Sequence, residues 1–179
     1  MKKINIRQMT LVSLFATLTA AGAFISIPIG LVPISLQNLF SLLAGMVLGG
    51  ELGALSQLIY ILLGVVGLPV FSGFRAGLVV LAGPTGGFLV GFAISSYVVG
   101  KLIGKLSEAK YRSYFLAGLL GIIIIYIMGI TQLLLITGIS LREALVIGVI
   151  PFLPGDFLKV IIAAFLAVRL KSVVTLPEL

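Results

Sequence analysis

The sequence predicts an all-α integral membrane protein: six transmembrane helices in one bundle, both termini on the cytoplasmic side. Three observations carry that expectation. The 179-residue chain is 60% hydrophobic and only 9% charged, where a soluble domain carries roughly 25% charged residues. Its mean hydropathy of +1.32 leaves too little polar surface to clothe a water-facing globule of this size. Its basic residues fall in clusters between apolar stretches, the pattern of cytoplasmic loops.

Each helical span needs about 20 mostly apolar residues, and this length holds roughly six with short loops. Residues 8–27 form the first, stopped by Pro28 and the Gly30–Leu31–Val32–Pro33 turn. Residues 36–48 and 52–66 flank Gly49, Gly50 and Glu51. Both are short, which predicts a hairpin packed inside the bundle. Pro84, at a helix-start position, opens a fourth span reaching about Lys101. Residues 114–137 form the fifth and clearest span, with isoleucine at every position from 122 to 125. The last apolar region, 144–168, is interrupted by Pro151 and Pro154. It reads as one kinked helix, or as a short segment over 141–150 followed by a helix from Pro154 to about Arg169. The second reading is preferred, because a proline inside a helix costs ~3 kcal/mol and one at its start costs nothing. It also sets Gly155 and Asp156 in the first turn, where the helix dipole favours an acidic side chain.

Charge placement selects the number of spans. Lys2, Lys3 and Arg7 precede the first; Lys101, Lys105, Lys110 and Arg112 lie between the fourth and fifth; Arg169 and Lys171 follow the last. Six spans put all of them on one face, which the positive-inside rule makes cytoplasmic. Five or seven would split the terminal clusters across the membrane. The N-terminus also has the outline of a signal peptide, with Ala21–Gly22–Ala23 as a cleavage site. Its apolar stretch is longer than a signal core, so a retained first helix is expected. No linker, charge run or internal repeat divides the chain, and residues 1–179 are expected to form one transmembrane substrate-binding domain.

The composition also removes chemistry. With no His and no Cys, the commonest general base, the usual zinc ligands, thiol nucleophiles and disulfides are absent, so neither an enzyme nor a metal site is expected. The net charge of +7 includes no five-residue basic run, which argues for membrane-surface contact rather than nucleic acid. Lys101 and Lys105 each follow a glycine but precede leucine, and Ser95 stands where a phosphate loop needs its first glycine. The chain does not hydrolyse ATP by that route.

A charge inside a span costs ~2.5–3.5 kcal/mol on insertion scales, so each needs a reason. Glu51 sits in a turn, and Arg142 and Glu143 sit together in an outer loop. Asp156 and Lys159 are different: three apart on one helix, they share a face among Phe152, Leu153, Phe157, Leu158 and Val160. They form either a buried ion pair that locks the helix or a polar site in which Asp156 accepts from an N–H and Lys159 meets an oxygen or a carboxylate. Three outer loops surround the same end of the bundle: 33–38 with Ser35, Gln37 and Asn38, 67–75 with Phe71 and Arg75, and 83–87 with Thr85. Glycines in them allow close backbone approach, and helix N-termini present free N–H groups. Each loop alone is an ordinary turn, and Gln37 alone a helix cap. Together with Asp156 and Lys159 they predict an outward-opening small-molecule pocket. Small residues recur four apart at Ala16 and Ala20, and at Gly45, Gly49 and Gly53. This spacing permits close helix contact, within the bundle for the glycines, and within it or with a partner for the alanines.

Four motifs then give a family resemblance. Val32–Pro33–Ile34–Ser35–Leu36–Gln37, Gly67–Leu68–Pro69–Val70–Phe71, Gly83–Pro84–Thr85–Gly86–Gly87–Phe88 and Pro151–Phe152–Leu153–Pro154–Gly155–Asp156–Phe157–Leu158–Lys159 together resemble BioY, the biotin-specific S component of energy-coupling-factor (ECF) transporters. The resemblance implies a six-helix S component that captures biotin from outside, with no cofactor of its own. It further implies docking on a membrane T component with two cytoplasmic ATPases. The family's small-residue partner motif matches Ala16 and Ala20, and its polar pair matches Asp156 and Lys159. On this resemblance Asp156 accepts a ureido N–H, and Lys159 contacts the ureido oxygen or the carboxylate. Gln37 and Ser35 add hydrogen bonds, and Phe71 and Tyr60 pack on the rings. Arg75 departs from a segment that is glycine-rich in the family, and is either a carboxylate partner or a plain surface charge.

The rival readings are an ATPase-independent secondary transporter of biotin or another small vitamin, a membrane-embedded enzyme, and an S component for a different vitamin.

Overall fold

The computed structural model describes residues 4–28, 31–106, 109–171 and 173–174; Lys2, Lys3 and Gly30 of the sequence reading lie outside them. The chain is helical almost throughout. Helix α1 (Ile6–Phe24) starts on a reciprocal cap, with Asn5 Oδ1 accepting from the Gln8 amide at 2.8 Å and Gln8 Oε1 accepting from the Asn5 amide at 2.9 Å. It ends three residues short of the expected Ile27. Proline at 28 disfavours helical backbone in the residue before it, and Ser26–Ile27 (β1) instead pairs antiparallel with Ile34–Ser35 (β2). This two-residue ribbon delivers the chain directly into α2 (Gln37–Leu48).

Gly49 separates α2 from α3 (Gly50–Val65) in a single residue at φ +86°, a conformation only glycine adopts without strain. The expected short hairpin is therefore present. A brief helix, α4 (Leu78–Ala82), follows the loop after α3. Then come α5 (Gly86–Gly104) and α6 (Tyr111–Thr137), which closes on left-handed Gly138. Helix α7 (Leu141–Gly148) opens on a second reciprocal cap, Ser140 with Glu143. It meets α8 (Leu153–Lys171) at 53° across the two prolines. The two-segment reading of that region is the one the fold adopts.

Helices α5 and α6 are each long and apolar enough to cross a membrane alone, and the bent α7–α8 pair meets the same test as one broken span. Helices α2 and α3, at 12 and 16 residues, are shorter apolar helices. Helix α5 is the hub, packing against α6, α3 and α2. Glycines and serines line that contact: Gly45 and Gly53 both lie against Ser96, and Gly100 lies against Gly49 and Gly50. The glycine spacing thus serves packing inside the bundle. On α6, Gln132 donates through Nε2 to the carbonyls of Leu81 and Gly83, each at 2.8 Å, fixing the α4–α5 turn.

Ala16 and Ala20 are 1% and 8% exposed and belong to the core with Val12 and Phe15. Helix α1 packs against α2 and α3, and in this single chain the alanine pair is turned into the bundle. The exposed side of α1 carries Thr10, Ser13, Thr17 and Ala21 instead. Thr10 and Thr17 return their hydroxyls to the carbonyls of Ile6 and Ser13, the way such side chains are satisfied on an apolar face.

Candidate functional site

The first two turns of α8 set the chemistry. Pro154 is the second residue of α8, and Asp156 and Lys159 follow on the face turned toward α2 and α6. Both are almost fully withdrawn from solvent, with side chains 4% and 8% exposed, and they pair at 2.9 Å between Lys159 Nζ and Asp156 Oδ1. An ion pair so buried requires hydrogen bonds for its remaining valences, and three neighbours supply them. Asn38, at the start of α2, donates through Nδ2 to Asp156 Oδ1 at 2.8 Å. Tyr126 of α6 donates its hydroxyl to Asp156 Oδ2 at 2.6 Å. Lys159 donates to the backbone carbonyl of Ser35, in β2, at 2.7 Å. The ribbon, α2, α6 and α8 therefore converge on one ion pair.

A second chain of bonds runs alongside. Ser35 Oγ donates to Gln37 Oε1 at 2.8 Å, Gln37 Nε2 donates to the Tyr60 hydroxyl, and that hydroxyl donates to the Val70 carbonyl at 3.2 Å. Both chains border one cavity, with Phe71, Phe88, Phe92 and Phe152 on its apolar side and Thr85 and Arg75 at its edge. Its empty volume, open solvent at the mouth included, is about 610 Å³.

Six of the seven expected site residues line this cavity: Asp156, Lys159, Gln37, Ser35, Phe71 and Arg75. Tyr60 does not. It is fully buried, edge-on to Phe71 with ring centroids 5.7 Å apart, and its hydroxyl accepts from Gln37 Nε2. Arg75 is exposed where it lines the cavity, with its Nε donating to the Ser72 carbonyl at 3.1 Å. Tyr126, Ser72 and a direct role for Asn38 escaped the sequence reading. Ser72 Oγ is buried at the cavity wall with no hydrogen-bond partner among the described residues, a hydroxyl free to meet a ligand's polar group. The signal for Tyr126 was a lone phenol in the middle of the most apolar helix of the chain.

The loop carrying Phe71, Ser72 and Arg75 is held in an unusual way. Phe71 and Arg75 exchange backbone hydrogen bonds at 3.0 and 3.3 Å, and the tight turn between them forces Phe74 to φ +58°. Phe74 is the one non-glycine with positive φ among the described residues, at a cost of about 1–2 kcal/mol. Its ring stacks on Phe24, the last residue of α1, at 4.9 Å and 14°, which contributes ~0.5–1.5 kcal/mol. Phe74→Ala keeps the strain and loses the stack. Amide exchange at Arg75 is expected to accelerate roughly tenfold in that variant, and less in Phe74→Gly, where the strain also goes. Equal exchange in wild type and Phe74→Ala would mean the stack does not hold the loop.

Comparison with known proteins bears on this geometry. The family model described as "BioY family" matches residues 1–176. A probable biotin transporter BioY of Pyrococcus horikoshii is 42% identical over 166 residues, covering 93% of this chain and 97% of that protein. The biotin transporter BioY of Thermotoga maritima is 41% identical over 166 residues, covering 93% and 96%. Among solved structures, the S-component for biotin from an ECF-type ABC transporter superposes with a TM-score of 0.87 at 27% identity, covering 96% of this chain and 95% of that one.

Proposed function

The chain belongs to the BioY family, and on that premise we propose that it is a biotin-binding S component, seating biotin in the cavity beside Asp156 and Lys159. The observation that carries this is a count of valences. A carboxylate has about four acceptor positions and an ammonium three donors. Asp156 already accepts from Asn38, Tyr126 and Lys159, and Lys159 already donates to Ser35 and Asp156. One acceptor and one donor remain, in a cavity whose apolar lining includes four phenylalanines. A cyclic urea presents an N–H next to a C=O and answers both at once. The thiophane ring suits the aromatic wall, and Arg75 at the edge and the Ser72 hydroxyl stand where the valerate carboxylate would emerge.

The same reading makes the protein a capture subunit rather than an enzyme. It would sit in the bacterial plasma membrane with six spans and cytoplasmic termini, supported by the one-sided distribution of its basic residues. Energy would come from a T component and two ATPases, since the chain has no phosphate loop. A proton-coupled carrier is less well supported, because the Asp156 carboxylate is already engaged by a lysine and two further donors, a fixed structural arrangement rather than a free proton site.

The protein purified without added ligand and analysed by native mass spectrometry is expected to carry biotin. Calorimetry on the emptied protein should show binding of biotin and none of thiamin or riboflavin. Binding of another vitamin alone would overturn the reading. Uptake that survived loss of the ATPases but collapsed with the proton gradient would overturn the ECF assignment.

A further inference from the structure

We infer that Tyr126 is a specificity-determining positioning residue: by occupying Asp156 Oδ2 it rations the carboxylate to a single free acceptor, so that the site takes a urea and rejects a guanidinium. The inference rests on the reading that the Asp156–Lys159 pair meets the ligand's ureido ring. Its basis is geometric. Asp156 Oδ1 accepts twice, from Asn38 and Lys159, and Oδ2 accepts once, from the Tyr126 hydroxyl at 2.6 Å. Tyr126 reaches across from α6, a different element from the one bearing the ion pair, and itself lines the cavity. Without it, Oδ2 would have both its acceptor positions open, and a carboxylate with capacity to spare is the natural partner of a guanidinium. With it, the pair presents one acceptor beside one ammonium donor. A cyclic guanidinium then places a second donor against Lys159, like charge against like charge, whereas the urea places its oxygen there.

Such control of an acceptor count can discriminate strongly, because a buried polar group left without its partner carries a large penalty. The ligands that separate the possibilities are biotin and 2-iminobiotin, which share the thiophane ring and valerate chain and differ only in C=O against C=NH₂⁺. Wild type is expected to bind biotin and to bind 2-iminobiotin far more weakly at neutral pH. In Tyr126→Phe, which keeps the ring and removes the one hydroxyl, the affinity for biotin should fall about tenfold as the carboxylate loses its anchor. The affinity for 2-iminobiotin should hold or rise, so the ratio of the two narrows at least tenfold. Asn38→Leu frees acceptor capacity on the other oxygen and should narrow the ratio in the same direction, which covers the case in which Tyr126→Phe does not fold. A structural role for Tyr126 would weaken both ligands by one factor and leave the ratio unchanged; that result in either folded variant overturns the inference. If wild type bound neither ligand, the biotin reading itself would fail, and the two failures are therefore distinct.

Discussion

Lys159→Met is expected to lower the affinity for biotin by at least a hundredfold and to destabilise the protein markedly. Methionine fills nearly the same volume with no charge. It removes the donor that the proposed site offers to the ligand and leaves Asp156 as an ion only 3% exposed to solvent. Breaking a buried pair by deleting one partner costs about 3–5 kcal/mol, because the other charge stays uncompensated. Tyr126 and Asn38 still donate to the carboxylate, but neither carries a positive charge. The companion change, Asp156→Asn, should also abolish tight binding, by replacing the acceptor that the proposed site offers to a ligand N–H. The double variant separates stability from function. With both charges gone it should recover most of the thermal stability lost in Lys159→Met, because a buried pair replaced whole by neutral groups is often tolerated. It should not recover binding. Calorimetry for affinity and a thermal melt in detergent read the two separately. Wild-type biotin affinity in both single variants would remove Asp156 and Lys159 from the site.

That pair was legible in the sequence because the membrane makes charge conspicuous. Two ions three residues apart among phenylalanine and leucine have few placements, and Pro154 located the start of their helix. The same proline logic gave the division of α7 from α8. The orientation of α1 was not legible, for the converse reason. In water an amphipathic stripe tells the inward face from the outward one. In a bilayer both faces are apolar, and Ala16 and Ala20 on one side look like Ser13, Thr17 and Ala21 on the other: small residues four apart in both cases. Packing decided between them: the Thr19 hydroxyl, on the alanine side, accepts from Gln57 of α3, which turns that side inward. Tyr126 was hidden differently. Its meaning lies in a contact to Asp156 that spans thirty positions of sequence, which no local pattern records. An aromatic residue near a pocket, such as Tyr60, has two uses, packing on the ligand or backing the residue that does, and sequence alone does not separate them.

The second large effect concerns what keeps these helices in register. Gly45→Ala is expected to cost most of the folded protein. A β-carbon on Gly45 would lie 2.3 Å from the Ser96 carbonyl oxygen and 2.9 Å from its α-carbon. These are backbone atoms of α5, so no side chain can swing aside, and α2 and α5 must separate. Overpacking of this kind costs typically ~1–3 kcal/mol and at times more, and here the strain reaches the site. Helix α2 carries Gln37 and Asn38 at its start and hydrogen-bonds α5 through Ser41 Oγ to the Phe92 carbonyl at 3.0 Å. Displacing α2 outward draws the Asn38 amide from Asp156 as well as splitting the helix pair. Gly104→Ala is the control: it lies in the last turn of α5 with nothing within 4 Å of a new β-carbon, and alanine improves helix propensity by ~1 kcal/mol. The expected order of melting temperatures in detergent is Gly104→Ala at or above wild type, then Gly45→Ala many degrees lower, with weakened biotin binding in whatever remains folded. Equal melting of the two variants would show that α2 and α5 can part without loss. Close packing at Gly45 would then not be what holds the Asn38 end of α2 against the carboxylate it serves.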